Sequence, residues 1–145
     1  LEHIVLCLSD GLLAQCGIDL DTHRGEIASG NLSALRGCPF VLGSAEDIGG
    51  RIGRGLLRSS GVSPVSKATS ENVETLLALC EQGVGACFCP ENLLHTALSP
   101  AQLAHLHILP LCPEASYPIC FGYLSRSYPW SVLSEFIRIA REQTA

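Results

Sequence analysis

VETLLALCEQGVGACFCPE, residues 73–91, is the segment from which the architecture of this chain is most directly inferred. Its first half repeats apolar side chains every three or four residues, which predicts a helix with one buried face. The Gly-x-Gly at 83–85 predicts the end of that helix. A short apolar strand follows, and the Pro-Glu pair at 90–91 predicts the start of another helix. This order is typical of an α/β protein.

Strands and helices are predicted to alternate along the rest of the chain. The predicted strands are 4–8, 39–43, 62–67, 86–89, 106–109 and 118–124. The predicted helices are 44–60, 69–82, 90–94 and 127–142. Ser44 is the expected start of the first of these helices, and Ser70 is the expected N-cap of the second. The alternation predicts a mostly parallel five-stranded sheet with helices on both faces.

Length and composition predict a globular chain of one domain, or of one domain and a fragment. Hydrophobic residues make up 47% of the 145 residues and charged residues 16%, which is enough apolar surface for a core. The formal net charge of −5 argues against a DNA-binding face. No apolar run reaches membrane-spanning length and no signal-peptide pattern opens the chain, so we expect a cytoplasmic protein. The absence of Met, including an initiator, suggests a piece excised from a longer protein.

Cysteine is unusually frequent, with eight residues in the chain. They are Cys7, Cys16, Cys38, Cys80, Cys87, Cys89, Cys112 and Cys120. Several lie in apolar strand patterns, where a reduced cysteine behaves as a small buried hydrophobe. Cys87 and Cys89, with His95 nearby, invite a zinc interpretation, but the paired CxxC spacing of zinc sites is missing. We therefore predict buried, reduced thiols and neither a metal nor another cofactor.

The segment 74–91 resembles the "ETLLALVAAGLGIALLPE" region of the effector-binding domain of LysR-type transcriptional regulators. Further segments of that family are similar, in the same order, to residues 1–8, 31–42, 116–128 and 129–141. The resemblance implies a lobe of the type-2 periplasmic-binding-protein fold. Residues 9–115 would form the second lobe, 1–8 and 116–126 the crossover strands, and 127–145 a C-terminal helix that packs on the first lobe. Most of that first lobe would be missing.

The same resemblance implies the function. A small-molecule effector would bind in the cleft between the lobes and modulate DNA binding by an N-terminal winged helix-turn-helix that this chain lacks. The chain would contact DNA only through that missing domain, would form a homo-oligomer and would not associate with a membrane. Peroxide-sensing members of the family carry a reactive cysteine in the region that corresponds to residues 43–60. This chain has none there, which disfavours that kind of redox sensing.

Two predicted helix starts are the candidate effector contacts. These contacts follow strands, at positions where free backbone N–H groups favour an anion such as an organic acid. They are Gly43, Ser44, Thr69, Ser70 and Asn72. The resemblance points to the same loops. The alternative is ordinary capping by the two serines, and one hydroxyl can serve both purposes.

Three arginines fall on one face of the predicted helix 44–60. Arg51 and Arg54, with Arg58, are possible anion contacts, although a solvated helix face is the favoured interpretation. No GxSxG, HExxH or Ser/His/Asp arrangement is visible, so we do not expect an enzyme. A lobe of a solute-binding protein and, less favoured, a small α/β enzyme are the alternative functions.

Overall fold

The computed structural model describes residues 1–120 and 131–144 of the chain. The strands are β1 (Glu2–Ser9), β2 (Pro39–Leu42), β3 (Val65–Thr69), β4 (Cys87–Pro90), β5 (Leu106–Pro110) and β6 (Ser116–Tyr117). The helices are α1 (Asp10–Cys16), α2 (Leu20–Ala28), α3 (Ile48–Ser59), α4 (Val73–Glu81), α5 (Glu91–Ala97), α6 (Pro100–Leu103) and α7 (Ser131–Thr144). A 3-10 turn at Ser33–Leu35 precedes β2.

The strands form two hydrogen-bonded sheets, β4-β1-β5 with β6 paired to β1, and the parallel pair β2-β3. An isolated parallel bridge between Phe40 and Ala86, with a hydrogen bond of 2.9 Å from the backbone of Val41 to Ala86, places β2 beside the residue that precedes β4, so five strands follow one another in the order β3-β2-β4-β1-β5. β1 pairs antiparallel with both β4 and β5. Four strands therefore run in one direction and β1 runs against them. The short β6 also pairs antiparallel with β1, at Glu2 and His3.

The reversed direction of β1 corrects the prediction of a mostly parallel sheet, because most of the hydrogen-bonded pairings involve this strand. The apolar run of β1 is the same in either direction, so its pattern carries no directional signal. The strand predicted at 62–67 is found at Val65–Thr69, after Pro64, a residue that cannot donate to a ladder. The one predicted at 118–124 is not a strand over 118–120, and its remaining residues lie outside the described part.

Both faces of the sheet are buried. Ile4, Leu6 and Leu8 of β1 point to one side, into a core shared with α1, α2 and α3. Val5 and Cys7 point to the other side, against α4 and α5. Because side chains alternate along a strand, this double burial explains the unbroken apolar run of β1.

Glycines let α3 approach the sheet closely. Gly49 and Gly53 are buried on the face of α3 that meets β4. A Cβ atom at Gly53 would overlap the Phe88 ring. That ring in turn stacks on Phe40, with centroids 5.9 Å apart. The position of α3 therefore depends on the absence of a side chain at Gly53.

The closing helix predicted over 127–142 is described as Ser131–Thr144. Arg138 pairs with Glu142 at 2.6 Å and with Glu135 on the same helix. Phe136 and Ile139 are about half exposed there. In the described part of the chain, no helix combines the length and the apolar character that crossing a membrane requires.

Candidate functional site

The ends of β2 and β3 bring the predicted contact residues together. Leu42, the last residue of β2, pairs with Thr69, the last residue of β3. The backbone N–H of Ser70 donates a hydrogen bond of 3.1 Å to the carbonyl of Leu42. Gly43 and Ser44 follow Leu42 directly, so the two loops start side by side. We call the set Gly43, Ser44, Thr69, Ser70 and Asn72 the β2–β3 edge.

The loop after β2 differs from its prediction, because helix α3 starts at Ile48 and not at Ser44. Asp47 is the N-cap, and its carboxylate accepts a hydrogen bond of 2.9 Å from the backbone of Gly50. The carbonyl of Ser44 accepts a bond of 3.1 Å from the Asp47 N–H. Within the described residues the half-buried hydroxyl of Ser44 makes no hydrogen bond. That hydroxyl is therefore available to a ligand.

A similar correction applies to the loop after β3. Asn72, and not Ser70, caps α4, because its Oδ1 accepts from the backbone N–H groups of Glu74 and Thr75 at 2.9 and 3.4 Å. The Ser70 hydroxyl accepts a bond of 3.0 Å from the N–H of Asn72 and so holds the loop before the helix. Neither serine is therefore the N-cap that the capping alternative expected, and Thr69 is exposed.

The two arginines predicted as anion contacts differ in position. Arg54 reaches back along α3, and its Nη1 lies 2.5 Å from the carbonyl oxygen of Gly43. Arg51 is exposed and only approaches the carbonyl of Glu46, at 3.5 Å. Neither arginine has an ion pair with a described residue. Arg54 therefore adds a positive charge at the β2–β3 edge, whereas Arg51 lies on the solvated side.

Three residues that no sequence pattern singled out lie at the same edge of the sheet. Glu2 is a carboxylate only 4% exposed, and it accepts a hydrogen bond of 3.1 Å from the N–H of Asn92 and a second from the side-chain amide. Tyr117 pairs with Glu2 across β6 and β1. Burial raises the pKa of Tyr117 above its ordinary value, and the carboxylates of Glu2 and Asp47 add to that shift.

These three residues were missed because of the direction of β1. In an all-parallel sheet the start of β1 would lie at the opposite edge from the ends of β2 and β3. Since β1 is reversed, its first residues lie beside those ends. The only available signal was a glutamate in an apolar strand, which favours a buried and paired carboxylate.

A nearby hollow does not suit the predicted ligand. It measures about 560 Å³ and lies between the start of α4 and α5. Glu71 and Glu74 line it, and Asn72 is its only residue from the β2–β3 edge. Two carboxylates would repel an organic acid, so the hollow is not the anion site that the sequence predicts.

The thiols and other possible metal ligands form no recognisable metal centre. Among the described residues no group of three or more His, Cys, Asp or Glu side chains is arranged to hold a metal ion. Cys7, Cys87 and Cys89 of the strands and Cys80 of α4 are fully buried in one cluster between the sheet and that helix, as the packing interpretation predicts. Hydrogen bonds from Cys7 and Cys80, together with burial, raise the pKa of the Cys87 thiol. These four thiols are therefore part of the core.

Comparisons with known proteins agree on one family. A family model described as the LysR substrate binding domain matches residues 2–145. The structure is similar to that of HinK, a LysR family transcriptional regulator from Pseudomonas aeruginosa, with a TM-score of 0.61 and 17% identity. That match covers 99% of this chain and 46% of HinK. None of the curated proteins matches the chain in sequence.

Two ligand-bound regulatory domains are also similar. The CcmR regulatory domain of Synechocystis PCC6803, in complex with 2-PG, has a TM-score of 0.65 at 13% identity, covering 99% of this chain and 63% of that one. The effector binding domain of QuiR, in complex with shikimate, has a TM-score of 0.62 at 12% identity, covering 99% and 61%. At such identities the likeness establishes the fold. The chain spans less than two thirds of the length of each of these proteins.

Proposed function

The chain belongs to the family of LysR substrate-binding domains, the parts of LysR-type regulators that sense small-molecule effectors, and we propose that its own effector binds at the β2–β3 edge. One observation carries the proposal: Leu42 and Thr69 are paired across β2 and β3. Thr69 therefore lies beside Gly43 and Ser44, the two residues that follow Leu42. In open α/β sheets, ligands bind outside the carboxyl ends of the strands.

An organic acid is the ligand class that we propose. The guanidinium of Arg54 lies against Gly43, and the hydroxyls of Ser44 and Thr69 can both donate to a carboxylate. The carboxylate of Asp47 disfavours an anionic ligand, because it also lies close to Gly43. That carboxylate is already bonded to the start of α3, and the arginine offsets its charge. The net environment supports a single carboxylate better than a multiply charged anion.

Binding would regulate through a change in the arrangement of lobes. The effector would have to bind two arrangements with different affinity, since equal binding shifts no equilibrium. In a longer parent protein this change would be passed to an N-terminal winged helix-turn-helix, through which alone DNA would be bound. We also propose that the parent forms a homo-oligomer and acts in the cytoplasm, without a membrane contact and without enzymatic activity. The crossover and lobe boundaries, 1–8, 9–115, 116–126 and 127–145, belong to the same proposal.

The proposal is tested by calorimetric titration of carboxylic acids into the chain, starting with shikimate and 2-PG, the ligands of the two similar domains. Removing either hydroxyl, with Ser44→Ala or Thr69→Ala, should weaken binding by about tenfold, the value of one hydrogen bond to a charged group. Ser63→Ala is the matched control, because this exposed serine precedes the other end of β3. If no acid binds, or if only the control weakens binding, the β2–β3 edge is not the effector site.

A further inference from the structure

Two thiols face each other at the opposite edge of the sheet. Cys16 is the last residue of α1, and Cys38 directly precedes β2. Their Sγ atoms are 3.9 Å apart. A disulfide bond is about 2 Å long, so the two sulfur atoms would have to approach by about 2 Å. Cys16 is partly exposed, whereas Cys38 is only 3% exposed.

The turns beside the two cysteines leave room for that approach. Gly17 follows Cys16 with a φ of 65°, and Gly37 precedes Cys38 with a φ of 81°. A side chain at either glycine would meet nothing within 4 Å. Each thiol is therefore next to an open surface turn, a kind of segment that shifts at low cost.

A positively charged hollow opens over the pair. It measures about 390 Å³, and both cysteines line it together with Arg36 and Lys67. No carboxylate lines it, and within the described residues neither cation has an ion pair. Its volume lies within the range of small-molecule sites. The two cations attract an anionic reactant toward the cysteines.

We propose that Cys16 and Cys38 undergo thiol–disulfide exchange with a small, carboxylate-bearing disulfide that enters this hollow. In the first step the Cys16 thiolate attacks one sulfur of the reactant, a mixed disulfide forms, the reactant's S–S bond breaks, and one small thiolate leaves. In the second step Cys38 loses its proton to solvent and attacks the Cys16 sulfur, and the second small thiolate leaves. The two cysteines are oxidised by two electrons, and the reactant is reduced to two thiols.

The order of the two steps follows from exposure. Both cysteines line the hollow, but Cys16 is partly exposed and Cys38 is almost completely buried, so Cys16 is the attacking residue. Burial, followed by the proximity of Cys16, raises the pKa of Cys38 to about 12. Cys38 therefore stays protonated at neutral pH, which slows the second step. The mixed disulfide on Cys16 should form before the internal bond closes.

The buried thiols of the core serve as an internal comparison. Cys7 and Cys89 are also close, with Sγ atoms 3.7 Å apart. Both are fully enclosed, so a dissolved disulfide cannot reach them in the folded chain. Cys120 is exposed but lies outside the hollow, and it must be distinguished by peptide mapping.

The experiment treats the folded chain with glutathione disulfide and follows the products by intact mass and peptide mapping. The natural chain should first carry one glutathionyl group on Cys16 and then lose it as the Cys16–Cys38 bond forms. Cys38→Ser should stop at the mixed disulfide, and Cys16→Ser should leave Cys38 unmodified. Modification of Cys120 alone, or of Cys38 in the absence of Cys16, would overturn the proposal.

A second measurement tests the charge of the hollow. Arg36→Gln or Lys67→Gln should slow the reaction of Cys16 with glutathione disulfide by about tenfold, the scale of electrostatic steering. The rate with the uncharged 2-hydroxyethyl disulfide should change much less. Arg58→Gln is the control, because Arg58 is exposed on α3 and lines a different hollow. Equal rates for the two disulfides in all variants would show that the hollow does not select an anionic reactant.

Discussion

Gly53 and Gly55 lie on the same helix but have different surroundings. A Cβ atom at Gly53 would overlap the Phe88 ring, whereas one at Gly55 would meet nothing within 4 Å. Gly53→Ala should therefore lower the free energy of unfolding by about 1–3 kcal/mol, the cost of overpacking a core. Gly55→Ala should leave it unchanged or raise it by up to about 1 kcal/mol, because alanine favours the helix. Urea denaturation measures both, and equal effects would contradict the described approach of α3 to β4.

The raised pKa of the buried Cys38 thiol leads to a second prediction at the residue scale. Its pKa is about 12 in the folded chain, against 9.0 for a free thiol. Above pH 9 the unfolded chain binds fewer protons at this residue than the folded chain, so the free energy of unfolding falls as the pH rises toward 12. The stabilisation is fully present below pH 9. Between pH 8, 9 and 10 the urea concentration at the midpoint of unfolding should fall less steeply in Cys38→Ala than in the natural chain. Identical slopes in the two chains would contradict the raised pKa of Cys38.

Single residues also show what a local pattern can and cannot predict. Ser44 and Ser70 were reasonable caps, but Asp47 and Asn72 lie closer to the apolar stripes of α3 and α4 and take that role. Ser, Asp and Asn all cap well, so propensity alone cannot choose between candidates two or three residues apart. The clustering of the two loops was predictable, because the carboxyl ends of neighbouring parallel strands share an edge.

At the scale of the elements, the start of α3 depends on one carboxylate. Asp47 accepts the backbone N–H of Gly50 at 2.9 Å. Asp47→Ala should lower the free energy of unfolding by about 1 kcal/mol, the usual value of an N-cap. Glu46→Ala removes a neighbouring exposed carboxylate without removing the cap, so it should have little effect. Thermal unfolding compares the two variants, and an equal loss in both would mean that charge, and not capping, matters at this helix end.

The elements themselves were largely predictable, and their pairing was not. Helix α4 and strand β4 follow from an apolar period and from the glycines that separate them. The antiparallel direction of β1 depends on the path of the whole chain, since its apolar run fits either direction. For the same reason Glu2, Asn92 and Tyr117 could not be placed at the candidate site from the sequence.

At the scale of the whole molecule, the resemblance found in residues 74–91 is confirmed by the family model over residues 2–145. The lobe boundaries and the contact residues stay predictions. Both depend on a cleft between two lobes, and the sequence pattern covers only one of these lobes. The 47% of hydrophobic residues indicate a globular chain with a core, and the structure buries both faces of the sheet.

A homo-oligomer is the prediction that belongs to this scale. Phe136 and Ile139, one turn apart on α7, are 54% and 45% exposed, and a contiguous apolar patch of this kind marks an interaction surface. We expect light scattering over a concentration series to show a dimer, and Ile139→Asp to shift it toward a monomer. Gln143→Ala, an exposed change on the same helix, should not. A monomer at every concentration would contradict the prediction.

The reversed β1 also has a mechanical consequence. Its first residues and β6 leave the sheet at the edge that carries the candidate effector contacts. If the lobe arrangement changes as proposed, this edge would be the pivot, and β1 would rotate with the lobe. The eight residues of β1 extend roughly 25 Å from that edge. A rotation of about 15° would then move the far end of β1 by roughly 6 Å, so a ligand held at the pivot would produce a large displacement from a small local change.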